Sequence, residues 1–282
     1  MTAKGEEDEG RLALDGEKPV FGEERRQQIL DIVNARGRVR IRDLAVLLGV
    51  TETTVRKDVI DLHFARLLRR IHGGALAIRP SYEPDIAARR DLNAPGKEAI
   101  ARACMRQIRD GDAVFIDSGT TTAAIASLLA ETNGRRAENG PVPVNVNVLT
   151  NAMDVARVLA PVASVRHTVL GGQYRAIGGC FVGPLAVSAL ETFVLNIAFI
   201  GVTGLTDLGL TVADLSEAQV KLAAMNQARR VIVPMEHTKL GASGFARVCG
   251  LDRVDMLVTD RDNEHLRRLC AENDVEFVVA TS

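Results

Sequence analysis

No tryptophan occurs among the 282 residues and only two tyrosines do, so the chain lacks an aromatic platform on which unpaired bases would stack. Cysteine is scarce too. Its four copies, Cys104, Cys180, Cys249 and Cys270, stand far apart with no C-x-x-C pair. That argues against a zinc ribbon or a disulfide framework and for reduced thiols in a cytoplasmic core. No apolar run reaches the roughly 18–20 residues of a membrane span, and residues 1–10 are acidic rather than the start of an apolar signal peptide. There is no G-x-x-x-x-G-K-[ST], no G-x-G-x-x-G and no H-E-x-x-H, and Gly241-Ala242-Ser243-Gly244 lacks the spacing of a nucleophile elbow. The five histidines have no metal-ligand spacing, so no metal or other cofactor is expected.

What is present is an ordinary globular composition, 46% apolar and 25% charged, in a length that suits two modules. The net charge of −1 conceals a sorting by region. Residues 21–80 hold twelve Lys and Arg against seven Asp and Glu, whereas residues 81–282 hold twenty against twenty-three. A basic module on an otherwise acidic chain is the electrostatic footprint of nucleic-acid binding. Residues 1–20, with six acids and three bases, read as a disordered acidic tail.

Residues 21–78 have the pattern of a winged helix-turn-helix, with the helix-turn-helix itself at about 39–58. Ile29, Ile32 and Val33 recur at helical spacing and Gly37 stops the run. Residues 39–48 read as a second helix with Ile41, Leu44, Ala45 and Leu48 on one stripe, and Gly49-Val50 as the turn. Thr51 stands where an N-cap belongs, Glu52 favours the helix dipole, and Val55, Val59 and Leu62 form the buried stripe of a third helix. Its N-terminal end carries Thr51, Thr53, Thr54, Arg56 and Lys57, the part of such a helix that enters the major groove. Arg can bind guanine through two hydrogen bonds, a Thr methyl can touch thymine, and Lys57 suits a phosphate. Asp58 is expected to have a structural role, pairing with a neighbouring Arg or a backbone group. Beyond it, Leu67-Leu68-Arg69-Arg70-Ile71-His72-Gly73-Gly74 reads as a hairpin whose Arg69, Arg70 and His72 would lie along a duplex backbone.

Residues 79–96, with Pro80, Pro84 and Pro95, read as a linker. From 97 to 282 apolar runs alternate with helical stripes. The runs at 113–116, 144–149, 165–170, 198–202, 231–234, 256–259 and 277–279 are expected strands, and 123–130, 217–228 and 265–271 expected helices. The fold class is therefore α/β, a mostly parallel sheet covered on both faces. Residues 131–143 read as an exposed loop. Ligands of such sheets sit beyond the strands' carboxyl ends. There the chain has Asp117-Ser118-Gly119-Thr120-Thr121-Thr122 opening a helix, Thr150-Asn151, Gly171-Gly172 and Lys239, with Lys221 on a nearby helix. Small residues at a helix start leave N–H groups and hydroxyls for an anion, and two lysines could neutralise it.

Both modules resemble the DeoR family of bacterial transcriptional regulators. The first carries Thr51-Glu52-Thr53-Thr54-Val55-Arg56-Lys57-Asp58 and then Arg70-Ile71-His72-Gly73-Gly74-Ala75, similar to that family's V-S-x-x-T-[IV]-R-[RK]-D-L helix and R-x-H-G-G-A wing. Thr51 replaces the usual Ser, Val59 the usual Leu, and His63-Phe64-Ala65-Arg66 stands where Glu and Gly are usual. In the second module the matching pieces include Lys97-Glu98-Ala99-Ile100-Ala101, Asp117-Ser118-Gly119-Thr120-Thr121, Leu149-Thr150-Asn151, Ala198-Phe199-Ile200-Gly201 and Glu217-Ala218-Gln219-Val220-Lys221. Glu236-His237-Thr238-Lys239-Leu240-Gly241 departs from the family's Asp-x-Ser-Lys-Phe-Gly, so Lys239 is carried over as a ligand residue and Glu236 is not.

The resemblance implies a repressor of carbohydrate genes that binds double-stranded operator DNA and responds to a phosphorylated sugar. It also implies a second domain similar in fold to ribose-5-phosphate isomerase that assembles dimers or tetramers. The alternative is an active sugar-phosphate isomerase. Against it, Phe199-Ile200-Gly201-Val202-Thr203-Gly204 contains no acid, where the isomerases have an Asp-Gly-Ala-Asp-Glu stretch to move the proton. A DNA-binding protein with a merely structural second domain would explain the basic module and leave the strand ends unexplained.

Overall fold

Glycines punctuate the first module at the positions its sequence suggests. Helix α1 (Gly22–Arg36) closes on Gly37, which adopts φ 74 and returns its N–H to Val33 O at 2.8 Å. Helix α2 (Ile41–Leu48) ends on Gly49 at φ 64, and α3 (Glu52–Phe64) follows. The expected second helix starts too early: Arg38–Arg40 is strand β1. Val39 satisfies a helical stripe and a strand equally well, and pairing decides the matter. The hairpin of β2 (Leu68–Ile71) and β3 (Gly74–Ala77) offers β3 as an antiparallel partner, opposing Val39 to Ala75. Ile29, Val33, Leu44, Val55, Val59, Leu62 and Leu68 close one core beneath this three-stranded sheet.

The structure, a computed structural model, describes residues 22–64, 68–77, 86–90, 92–134 and 145–281. The acidic tail, linker residues 79–85 and the greater part of the loop read at 131–143 lie outside these. The chain divides into two units, Met1–Ile78 and Arg79–Ser282. Two expectations are corrected here. Part of the linker is helical, as α4 (Ile86–Arg89) and the start of α5 (Ala94–Met105); Pro95 sits in the first turn, where its missing N–H costs nothing. Residues 131–134 are the last turn of α6 (Thr120–Gly134) rather than loop.

In the second unit a strand is found for each expected β-branched run, although the one read at 198–202 lies at Leu195–Phe199. These are β4 (Ala113–Ile116), β5 (Val146–Thr150) and β6 (Val165–Val169). Beyond the hairpin β7 (Gln173–Arg175) and β8 (Cys180–Val182) comes β9 (Leu195–Phe199). A second hairpin, β10 (Gly204–Thr206) and β11 (Gly209–Val212), precedes β12 (Ala228–Pro234). After β13 (Ala246–Cys249) come β14 (Met256–Thr259) and β15 (Glu276–Val279). The main sheet has the order β15-β14-β12-β9-β4-β5-β6, with parallel pairing throughout.

Alternation divides the core between the two faces. Val114 and Ile116 pack with Ile100, Ile125 and Leu129 of α5 and α6, and with Val155 of α7 (Met153–Leu159). Phe115 packs on the other side with Leu190 of α8 (Pro184–Leu190), Val220 of α9 (Leu215–Gln227) and Leu266 of α10 (Glu264–Ala271). All four cysteines are free and buried. Burial pushes the thiols up, to about 12 at Cys180 and about 11 at Cys249 and Cys270, which leaves them inert at neutral pH. Among the described residues no helix is long and apolar enough to cross a membrane.

Candidate functional site

The first unit presents its cations on α3 and on the β2–β3 hairpin. Thr51 caps α3, accepting from the Thr54 N–H at 3.2 Å, and its hydroxyl lies 2.9 Å from that of Thr54. With Val55, Asp58 and Val59 turned inward, Thr51, Thr53, Arg56 and Lys57 are left exposed. Arg56 donates to Glu52 Oε2 at 2.9 Å, one turn back. Asp58, 2% exposed, accepts from Arg25 at 2.6 and 3.2 Å, so it anchors α3 to α1; of the two partners expected for it, an arginine or a backbone group, the arginine is found. In the hairpin Arg69 is half-buried, while Arg70 and His72 are exposed. The two glycines after His72 have different jobs. Gly73 turns at φ 70; at Gly74 a Cβ would stand 2.6 Å from Val39 O, so only glycine lets β1 dock on the hairpin.

In the second unit the strand order reverses between β4 and β9: the chain runs from β4 outward through β5 and β6, then returns to β9 on the other side. A crevice opens at the carboxyl ends of such a pair. Ser118, Gly119, Thr120 and Thr121 line it from the β4–α6 turn, and Lys221 and Lys239 complete the part anticipated from sequence. Thr122, the last residue of the segment that opens α6, lines it as well, and so do Arg89, Gly178, Gly201, Thr203 and Glu217, which the strand-end reading does not single out. The first turn of α6 supplies N–H groups with no i−4 carbonyl to meet. Gly201 packs so closely that a Cβ there would lie 2.5 Å from Ser118 O.

Asp117 lies under this crevice and does not line it. Fully buried, it accepts from Lys221 Nζ at 2.5 Å and from the Gly201 N–H at 2.9 Å. A carboxylate cannot coordinate an anion, but it can hold a lysine beside the crevice. Burial works against the Lys221 charge, yet Asp117 and Glu217 more than offset it and raise its pKa. Lys239 is the opposite case. Burial of its ammonium outweighs the attraction of Glu236, and Arg89, Lys97 and Lys221 add repulsion, lowering its pKa to about 8. Glu217 accepts from Arg175 at 2.8 Å.

Thr150, Asn151, Gly171 and Gly172 are absent from the lining. Thr150 donates to Ile116 O at 2.6 Å, tying β5 to β4. Asn151 donates to Phe181 O at 3.2 Å and so fastens β8. At Gly172 (φ 145) a Cβ would meet Val182 O at 2.6 Å, a close backbone approach, while Gly171 is exposed. Behind the crevice Glu236 accepts from Thr121 at 3.3 Å and from Asn93 at 3.1 Å. Asp260 accepts from the same Asn93 amide at 2.9 Å and from the His237 N–H at 2.7 Å. Burial opposes the Asp260 charge, but these bonds hold its carboxyl below the usual range.

A winged helix-turn-helix with exposed cations, joined to an α/β unit with a cationic crevice at its switch point, defines a ligand-responsive DNA-binding regulator. Known proteins agree. Residues 25–81 match the DeoR-like helix-turn-helix domain and residues 92–261 the DeoR C terminal sensor domain. The HTH-type transcriptional repressor GlcR of Bacillus subtilis (strain 168) is 30% identical, covering 92% of this chain and 97% of that protein. The glycerol-3-phosphate regulon repressor of Escherichia coli (strain K12) is 28% identical, over 84% of this chain and 90% of that one. Among solved structures, a ribose 5-phosphate isomerase of Methanocaldococcus jannaschii is 16% identical, covering 52% of this chain and 55% of that chain at a TM-score of 0.38. So loose a likeness decides nothing about chemistry. The chain belongs to the DeoR family of transcriptional regulators.

Proposed function

We propose that this protein represses genes for carbohydrate use, that a phosphorylated sugar in the crevice of its second unit changes its grip on operator DNA, and that it works in the cytoplasm as a homo-oligomer. One observation carries the reading: small residues opening α6 face Lys221 and Lys239 across the switch point. N–H groups, hydroxyls and two cations are what a phosphate needs. Thr51, Thr53, Thr54 and Arg56 would read base edges, and Lys57, Arg69, Arg70 and His72 would follow the duplex backbone. The effector acts by binding the DNA-competent and DNA-incompetent states with different affinity.

Catalysis is not part of the proposal. Asp117 is committed to Lys221 and Gly201, and Glu217 to Arg175, so neither carboxylate is poised to take a proton from a substrate carbon. The deciding experiment is an operator titration across monophosphorylated sugars of three to six carbons, with their unphosphorylated parents as controls, at one salt concentration. A duplex selected from a random library by the full chain serves as operator. Equal response to phosphorylated and unphosphorylated sugars, or turnover of a pentose phosphate, would overturn the reading.

Lys239→Ala and Thr120→Val are each expected to leave affinity for the selected duplex unchanged and to shift the effector response to at least about tenfold higher concentration, since a charge-assisted bond to phosphate is lost or its donor removed. Titrating both variants checks this.

The effect of pH has a definite sign. The free protein's Lys239 is protonated below about 8, and an incoming anion stabilises that charged form. Binding therefore takes up a proton at higher pH, and affinity falls as pH rises through 8. Below about pH 6 the phosphate itself loses its second charge. Affinity is expected to peak between these limits, and Lys239→Ala to remove the alkaline fall only. Calorimetry in buffers of different ionisation enthalpy reads the proton uptake directly.

A further inference from the structure

Residues 86–90 and 92–93 form a strap beside the crevice. Arg89, on α4, lines it. The strap is fastened at four points. The Ile86 N–H donates to Ile177 O at 3.1 Å. Arg90 pairs with Asp154 at 2.7 Å. Lys97, 4% exposed, aims its ammonium at the strap's own backbone, donating to Arg89 O at 2.8 Å, Arg90 O at 3.3 Å and Leu92 O. Asn93 closes the far end, its one amide group donating to both Glu236 and Asp260.

These last two acids belong to the machinery of Lys239. Glu236 immediately precedes the turn His237–Lys239, and its carbonyl accepts from the Lys239 N–H at 3.0 Å. Asp260 holds the first residue of that turn through the His237 N–H and through Nδ1 at 2.9 Å. Asn93 thus joins the piece of chain carrying one crevice cation, Arg89, to the piece carrying another, Lys239. Arg89, Lys97 and Lys221 all repel Lys239, so an anion placed among them would relieve that repulsion. In the sequence the strap is also the first described segment after residues 78–85, which lead from the helix-turn-helix unit.

We infer that Arg89 reads the effector's anionic group and that Asn93 is a positioning residue, together making the strap the element through which crevice occupancy reaches the DNA-binding unit. This rests on the sensor reading above. Arg89 touches the ligand; the Asn93 amide donates to Glu236 and Asp260 and acts through them. Its backbone favours the test. Asn93 sits at φ 53, which glycine adopts without strain, so Asn93→Gly removes the amide while keeping the turn.

Effector affinity is measured on the full chain by calorimetry, with and without the selected duplex, using the tightest sugar phosphate of the panel and inorganic phosphate as the minimal probe. By linkage the ratio of the two affinities equals the effector's influence on DNA binding. Arg89→Gln is expected to weaken binding of both probes to the DNA-free chain by roughly tenfold or more. Asn93→Gly is expected to leave that affinity within about threefold, while the ratio collapses toward one from the 5–150-fold typical of allosteric coupling, about thirtyfold at mid-range. A role confined to stability would lower the melting temperature and leave the ratio standing.

Unchanged phosphate affinity in Arg89→Gln, or an unchanged ratio in folded Asn93→Gly, overturns the inference while the sensor reading survives. A wild-type ratio of one with every sugar phosphate overturns both.

Discussion

Lys221→Met is expected to destabilise the α/β unit by about 3–5 kcal/mol, the usual consequence of removing one partner from a buried ion pair. Asp117 is wholly buried and Lys221 is 3% exposed. With the ammonium gone, the carboxylate keeps only the Gly201 N–H and the weaker Ser118 hydroxyl at 3.4 Å. The cost is that of an uncompensated charge, not the net worth of the pair. The double variant Asp117→Asn, Lys221→Met is therefore expected to recover most of the loss, since a neutral amide can still accept from Gly201 while a methionine fills the volume. Denaturation followed by calorimetry, reading the α/β unit's own transition, checks both. A loss under about 1 kcal/mol in the single variant would mean that water reaches Asp117. Even when stable, the double variant is expected to respond poorly to sugar phosphate, because the crevice has lost a cation.

That pair also marks how far the sequence could be read. The seven strands of the main sheet stand out because each is a short β-branched run between polar or glycine boundaries, and burial on both faces demands such runs. The small sheet of β10, β11 and β13 does not stand out. Gly204 and Gly209 look like breaks, yet each is needed for close backbone approach, to Ala242 O and Cys249 O respectively. Strand β1 was hidden because Val39 fits two periodicities and only its pairing with Ala75 separates them.

In the crevice, strand-end reasoning assembles Ser118, Gly119, Thr120, Thr121, Lys221 and Lys239. It cannot tell a ligand residue from one that braces its neighbours. Thr150 and Asn151 occupy a strand end too, but their side chains donate to Ile116 O of β4 and Phe181 O of β8 rather than lining the crevice. Arg89 escaped for a different reason. A helix of four residues has too few turns to show a period, and the surrounding prolines read as linker. Glu217 was signalled, four residues before Lys221 on one helix face.

Arg56→Ala, under the proposed contacts, is expected to weaken binding to the selected duplex by about 1–3 kcal/mol, roughly 5–150-fold, while affinity for random duplex changes far less. The exposed Arg56 sits at the end of α3 that such folds place in the major groove. Its guanidinium is already aligned along the helix by Glu52 at 2.9 Å, although an exposed pair of this kind adds only about 0.3–0.5 kcal/mol to the fold. Glu52→Gln is accordingly expected to leave stability nearly unchanged. Lys57→Ala should behave differently from Arg56→Ala. A phosphate contact carries no sequence information, so its loss weakens selected and random duplexes alike and lowers the slope of log affinity against log salt by about one. Titrations of both duplexes at several salt concentrations separate the two roles. Should Arg56→Ala weaken both duplexes equally, the arginine would be a backbone contact and base reading would rest on Thr51, Thr53 and Thr54.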